Sequence, residues 1–238
     1  MGSREEAIEI TMLRERQVIE VTEGPPVAGN IAEDDIMVTT GKASTGRIDL
    51  YWIPLGAGGS GFVRLNGRIY EAISSRRQSR EPSALYHTAL QVHVPEGRFV
   101  VETTWPRPDL DTASRGVVVE GPVGGRPLAR YRTFRYEVRC WRYGVLPDER
   151  DAVGGPQRVS DDVEQAQRLL ELVGSVPALI WGRDQLRTGE MWNSNAVISW
   201  LLAKNGLPIE EIRPPDGGRA PGWDAGIAVA MTRHLVVP

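Results

Sequence analysis

Cysteine is nearly absent: Cys140 is the only one in 238 residues. That excludes an intramolecular disulfide and any zinc site built from several thiolates. Histidine is almost as scarce, and His87, His93 and His234 share no ligand spacing on one element, so no metal site is expected. No run approaches the roughly 18 apolar residues of a membrane helix, and the opening MGSREEAIEI has no apolar core like that of a signal peptide. The expectation is a cytoplasmic chain without a membrane span. Charge of one sign is lacking too. A net charge of -3 and a pI near 5.7 give no long-range pull toward nucleic acid or an anionic membrane, so no nucleic-acid partner is expected. What is present is ordinary globular material, 41% hydrophobic and 25% charged, long enough to bury a sizeable core.

The first two-thirds are strand-like. Residues 8–23, 47–55, 61–73, 85–94, 98–105, 115–121 and 131–143 are rich in β-branched and aromatic side chains. Asn66-Gly67 is a two-residue hairpin signal, and Pro95-Glu96-Gly97 a longer one. Helix signals come late. The run 160–174 has Asp161 and Glu164 at capping-box spacing, with Val163, Ala166, Leu170 and Val173 on one face. A second helix lies in MWNSNAVISWLLAKNG (191–206), ending at Asn205-Gly206 with Pro208 beyond. The Pro-, Gly- and Asp-rich 144–159 reads as a connecting loop. One α+β domain over 1–238 is expected: strand-rich over residues 1–143, a loop over 144–159 and helical over 160–238.

The glycine motif GAGGSG (56–61) matches the dinucleotide-binding G-x-G-x-x-G. That motif works only when its third glycine opens a helix whose N-terminus holds the pyrophosphate. Gly61 instead leads into FVRLNGRIYE, which alternates and turns at Asn66-Gly67. A plain loop and no nucleotide cofactor are expected; no other cofactor is called for.

Two stretches carry candidate chemistry. In LYHTALQVHV, alternation puts His87, Ala89, Gln91 and His93 on one face. If the following strand folds back with Val94 opposite Phe99, Glu102 falls on that face, on the neighbouring strand. A carboxylate beside a histidine fixes its tautomer and makes it a better base; a half-exposed histidine on a polar sheet face is the simpler reading. In MWNSNAVISW, a polar cap of Trp192, Asn193, Ser194 and Asn195 runs straight into an apolar helix. Asn and Ser are ordinary N-cap residues, but helix N-termini also stabilise developing negative charge and hold nucleophiles.

The order of these pieces, a histidine hairpin first and a polar helix start later, resembles the circularly permuted papain-like proteins. These include lecithin retinol acyltransferase-like enzymes and bacterial NlpC-type amidases. HTALQV (87–92) is similar to their histidine segment, FVVE (99–102) to the strand after it, and Asn193-Ser194-Asn195-Ala196-Val197 to their Asn-Cys-x-x-apolar helix start. The likeness covers about 85–206. It implies a papain-like antiparallel sheet with the nucleophile helix packed on it, and an enzyme acting on an amide, ester or thioester bond of a small-molecule, peptide or acyl substrate. Ser194 would attack, His87 would take its proton and Glu102 would orient His87. Asn193 and Asn195 would help hold the oxyanion, with Trp192 beside the substrate.

The departure is Ser194, where that family carries cysteine. It is open to three explanations: a natural nucleophile, a natural loss that leaves an inactive binding protein with its cleft, or an engineered change. Cys140, in a strand-like run between Arg139 and Arg142, reads as structural. Trp105, Trp181, Trp200 and Trp223 read as core or cleft wall. The glycine-rich 216–226 reads as a surface loop leading to a last core element.

Overall fold

In a computed structural model of the chain, the described residues are 46–55, 83–106, 116–146 and 148–232, all within the unit Ala43–Pro238. The strands expected at 8–23 and 61–73, the loop 56–61, the Asn66-Gly67 turn and His234 lie outside them. The strands are β1 (Arg47–Pro54), β2 (Tyr86–Val94), β3 (Gly97–Thr104), β4 (Val117–Pro122), β5 (Arg135–Arg142) and β6 (Gln157–Ser160). They form one antiparallel sheet in the order β4-β5-β3-β2-β1-β6. Three helices follow: α1 (Val163–Val173), α2 (Ser194–Lys204) and α3 (Trp223–Met231). Strands first and helices after is the α+β class.

Alternation decides which residues the helices cover. Ile48, Leu50 and Trp52 of β1, Tyr86, Leu90, Val92 and Val94 of β2, Val101 of β3, and Tyr136 and Val138 of β5 belong to one buried cluster. That cluster also holds Ala166, Leu169 and Val173 of α1, Ala196 to Ile198, Leu201 and Leu202 of α2, and Val229 of α3. Burying each such Leu, Ile or Val fully is worth about 1.5–3 kcal/mol. The residues between them on the strands, Tyr51, Ile53, Ala89 and Val100, form a smaller cluster with Leu146 on the opposite face. That second face also carries most of the sheet's buried charge.

Helix α2 is apolar on nearly every side because it is packed nearly all round, buried without a break from Asn195 to Leu202. Its neighbour α3 approaches so closely that a Cβ on Gly226 would collide with the Ala196 carbonyl and the Ser199 hydroxyl. That hydroxyl donates to the Trp223 carbonyl at 2.7 Å.

Several expectations are corrected. The β2–β3 hairpin closes through Pro95-Glu96 alone, so Val94 pairs with Gly97, not Phe99. Gly97 turns at φ +140°, a conformation that favours glycine. The slip is even, so each side chain keeps its face. The cap of α1 is Asp162, whose side chain accepts from Gln165 N; Asp161 pairs with Arg158 instead. Residues 157–160 form edge strand β6 rather than loop, and 132–134 is a 3₁₀ turn before β5. No described helix is long and apolar enough to cross a membrane.

Candidate functional site

The start of α2 is a hydrogen-bonded latch. The Asn193 side chain caps the helix, its Oδ1 accepting from Ala196 N at 3.2 Å and its Nδ2 donating to the Pro221 carbonyl at 2.8 Å. Asn195 is buried, 3% exposed. Its Nδ2 donates to the carbonyls of Tyr86 and Pro221, both at 2.9 Å, and its Oδ1 accepts from Thr88 Oγ1 at 3.0 Å. One amide thus ties α2 to β2 and to the loop before α3. Gly222, at φ +90°, completes the latch, because a Cβ there would run into the Asn193 side chain. Trp192 is buried in the core, its Nε1 donating to the Tyr136 hydroxyl at 3.1 Å.

The strand residue that meets the helix start is therefore Thr88, and His87 points the other way. On β2, Tyr86, Thr88, Leu90 and Val92 face the helices, while Ala89 packs with Tyr51 and Ile53 on the second face. His87, paired with Ile53 across β1, shares that second face. Burial lowers the His87 pKa to about 4, so the ring is neutral at pH 7.

Glu102 lies on the same face as His87, as expected, but its partner is a cation. Arg139, opposite it on β5, brings Nη1 to 3.7 Å of Glu102 Oε1 and hydrogen-bonds Glu137 Oε2 through Nε (3.1 Å) and Nη2 (2.8 Å). Glu137 and Arg139 are both buried, and burial raises the Glu102 pKa against the opposing pull of Arg139. Among the described residues no group of three His, Cys, Asp or Glu is placed to hold a metal ion.

The residues of the expected Ser194–His87–Glu102 triad are not brought together. Ser194 is the first residue of α2, on the helix-covered side of the sheet; His87 and Glu102 are on the other. A proton cannot pass from a hydroxyl to an imidazole across a strand ladder, and the geometry of general-base catalysis requires hydrogen-bond reach. The polar side-chain atoms of Asn193, Asn195 and Trp192, expected beside an oxyanion and a substrate, are engaged in the latch and the core. Sequence reasoning missed the Thr88–Asn195 bond. Its signal is an amide side chain inside the first turn of a helix with no polar face.

Cys140 is partly exposed on β5, and burial pushes its thiol up to about 11, which leaves it unreactive at neutral pH. Near the latch lies a cleft of about 460 Å³ between the 209–214 turn, the 219–224 loop and Glu190. Ile209, Ile212, Trp223 and Ile227 give it an apolar wall, with Arg213, Arg219, Glu190 and Asp224 around them. Glu190 Oε2 accepts from the Gly222 and Asp224 amides at 2.7 and 3.3 Å, so this carboxylate also closes the start of α3. The Trp223 indole N–H is buried and has no hydrogen-bond partner among the described residues.

Compared with protein-family models, with curated proteins and with solved structures, the chain matches none.

Proposed function

We propose that the chain is a ligand-binding protein that keeps the element order of the permuted papain-like proteins without their catalytic pair. The observation that carries this reading is the phase of β2, which turns Thr88 rather than His87 toward Asn195 and the start of α2. The order itself, a histidine hairpin before a polar helix start packed on an antiparallel sheet, is what supports the papain-like assignment. Of the three explanations for Ser194, natural loss of the nucleophile fits best, because the flanking asparagines are committed to structure. A cytoplasmic setting belongs to the same reading.

The ligand belongs in the cleft beside the latch. An apolar wall rimmed by two carboxylates and two guanidiniums, of which Arg219 Nη2 lies 3.9 Å from Glu190 Oε1, suits a small zwitterion with an apolar side chain, such as a branched amino acid or its dipeptide. Arg213 would meet the carboxylate and Asp224 the ammonium, beside the Arg219–Glu190 pair. Titration of the full chain with L-leucine and with Leu-Leu, followed by calorimetry and tryptophan fluorescence, tests it. Saturable binding is expected, weakened about tenfold or more by Arg213→Gln. Absence of saturable binding overturns the ligand assignment. Hydrolysis of p-nitrophenyl acetate that depends on both Ser194 and His87 overturns the non-catalytic reading itself.

A further inference from the structure

At the far end of the second face, remote in sequence from the latch, three strands place basic residues side by side. Arg47 of β1 pairs with His93 of β2, and His93 pairs in turn with Arg98 of β3. His93 thus sits between two guanidiniums on one face of the sheet. Arg158 joins the row from edge strand β6. These four residues line one open pocket of about 520 Å³, together with Asp161, Val94 and the side-chain-free positions Gly46 and Gly97.

The pocket has a built support. Asp49, only 3% exposed, accepts from Arg47 Nε at 3.0 Å and from Arg158 Nε, so one buried carboxylate orients two guanidiniums from opposite sides. Arg158 also bonds the exposed Asp161. Arg47 Nη2 lies 3.2 Å from His93 Nε2. A guanidinium has no lone pair to give, so His93 accepts there and is neutral. Burial, Arg47, Arg98 and Arg158 all hold the His93 pKa below its ordinary value, with Asp49 opposing them. Arg98 has no ion pair or side-chain hydrogen bond among the described residues. The charges sum to three guanidiniums against two carboxylates, which leaves the pocket a net cation.

We infer that the Arg47–His93–Arg98–Arg158 pocket binds the phosphoryl group of a small soluble phosphomonoester. A carboxylate offers two oxygens, whereas a phosphoryl group offers three, spread over a tetrahedron that guanidiniums arriving from three strands can reach together. The volume leaves room for the organic moiety against Val94 and the two glycines.

The site is separate from the cleft of the proposed function, so either stands or falls alone. Inorganic phosphate is the minimal probe, and the imidazole resonances of His93 are the reporter. Titration with phosphate should be saturable and should raise the His93 pKa, because a bound anion favours the charged imidazole against burial and the three guanidiniums that disfavour it. Arg98→Gln, which removes a cation engaged with no acidic group among the described residues, should weaken binding about tenfold or more while leaving the far-ultraviolet circular dichroism unchanged. Arg158→Gln should do the same. The inference is overturned if phosphate leaves His93 unmoved, or if it moves His93 equally in wild type and Arg98→Gln. It is also overturned if phosphatidic acid vesicles bind while free phosphate does not, which would make the face a membrane-docking surface.

Discussion

The two faces of the sheet are built from the same strands, yet they answer to different physics. On the helix-covered face Tyr86, Leu90, Val92, Val101 and Val138 interlock with α1 and α2, and the polar exception, Thr88, is satisfied by Asn195. On the other face Asp49, Gln91, Glu137 and Arg139 are buried charged or polar groups, each with a partner on a nearby element or residue. Chemistry that adjoins in sequence, His87 beside Thr88, is divided by the sheet. One step along a strand is a change of environment as complete as a change of domain.

That contrast can be broken from either side. The largest effect belongs to the second face. Arg139→Met removes the cation that is paired with both Glu137 and Glu102, and leaves the fully buried Glu137 charge without that compensation. Breaking a buried pair from one side costs about 3–5 kcal/mol, and urea unfolding should register a loss of that size. On the helix face, Asn195→Leu removes the bonds to Thr88, Tyr86 and Pro221 together. Unpaired buried groups cost about 1–3 kcal/mol each before relaxation, so a loss near 2–3 kcal/mol is expected by the same measurement. If Asn195→Leu is neutral, the latch is decoration and the helix start is free for other work.

A subtler effect separates His87 from Thr88 by pH. Folded His87 resists protonation down to about 4, whereas in the unfolded chain it titrates near its ordinary value of 6.5. Between those values the unfolded state binds the extra proton. His87 therefore destabilises the fold as pH drops from 6.5 toward 4, and contributes no such loss above 6.5. The difference between pH 8 and pH 5 should be about 2 kcal/mol. His87→Gln should flatten that stretch of the stability profile. An unchanged profile in the variant would mean that the ring is not buried on the second face.

Much of this architecture is legible in the sequence. β-branched alternation marks β1, β2 and β3 to within a residue or two, and Asn205 beside Gly206 marks the end of α2. What alternation does not reveal is which set of alternate residues the helices cover. β2 reads as two half-apolar sets, Thr88, Leu90, Val92 against His87, Ala89, Gln91, and only the tertiary packing chooses between them. The hairpin register differs by two residues from the expected one because Gly97 tightens the turn to Pro95-Glu96. Edge strand β6 is four residues, three of them polar, and lies in a Gly- and Pro-rich stretch with no periodic signal of its own. The basic row Arg47–His93–Arg98–Arg158 is invisible in the sequence for a related reason: it is assembled by register, from four separate segments.

The most direct test of the division between the faces is the reactivity of a thiol placed at the start of α2. In Ser194→Cys, alkylation by iodoacetamide is followed at neutral pH, alone and combined with His87→Ala. Cys140, pushed up to about 11 by burial, supplies the slow internal reference. A helix N-terminus by itself lowers a thiol's pKa, so the new cysteine should react faster than Cys140 in both backgrounds. With the sheet between the two residues, the rate should be the same with and without His87. A rate that collapses when His87 is removed would show the imidazole activating the thiol, and would put His87 and residue 194 on one side of the sheet.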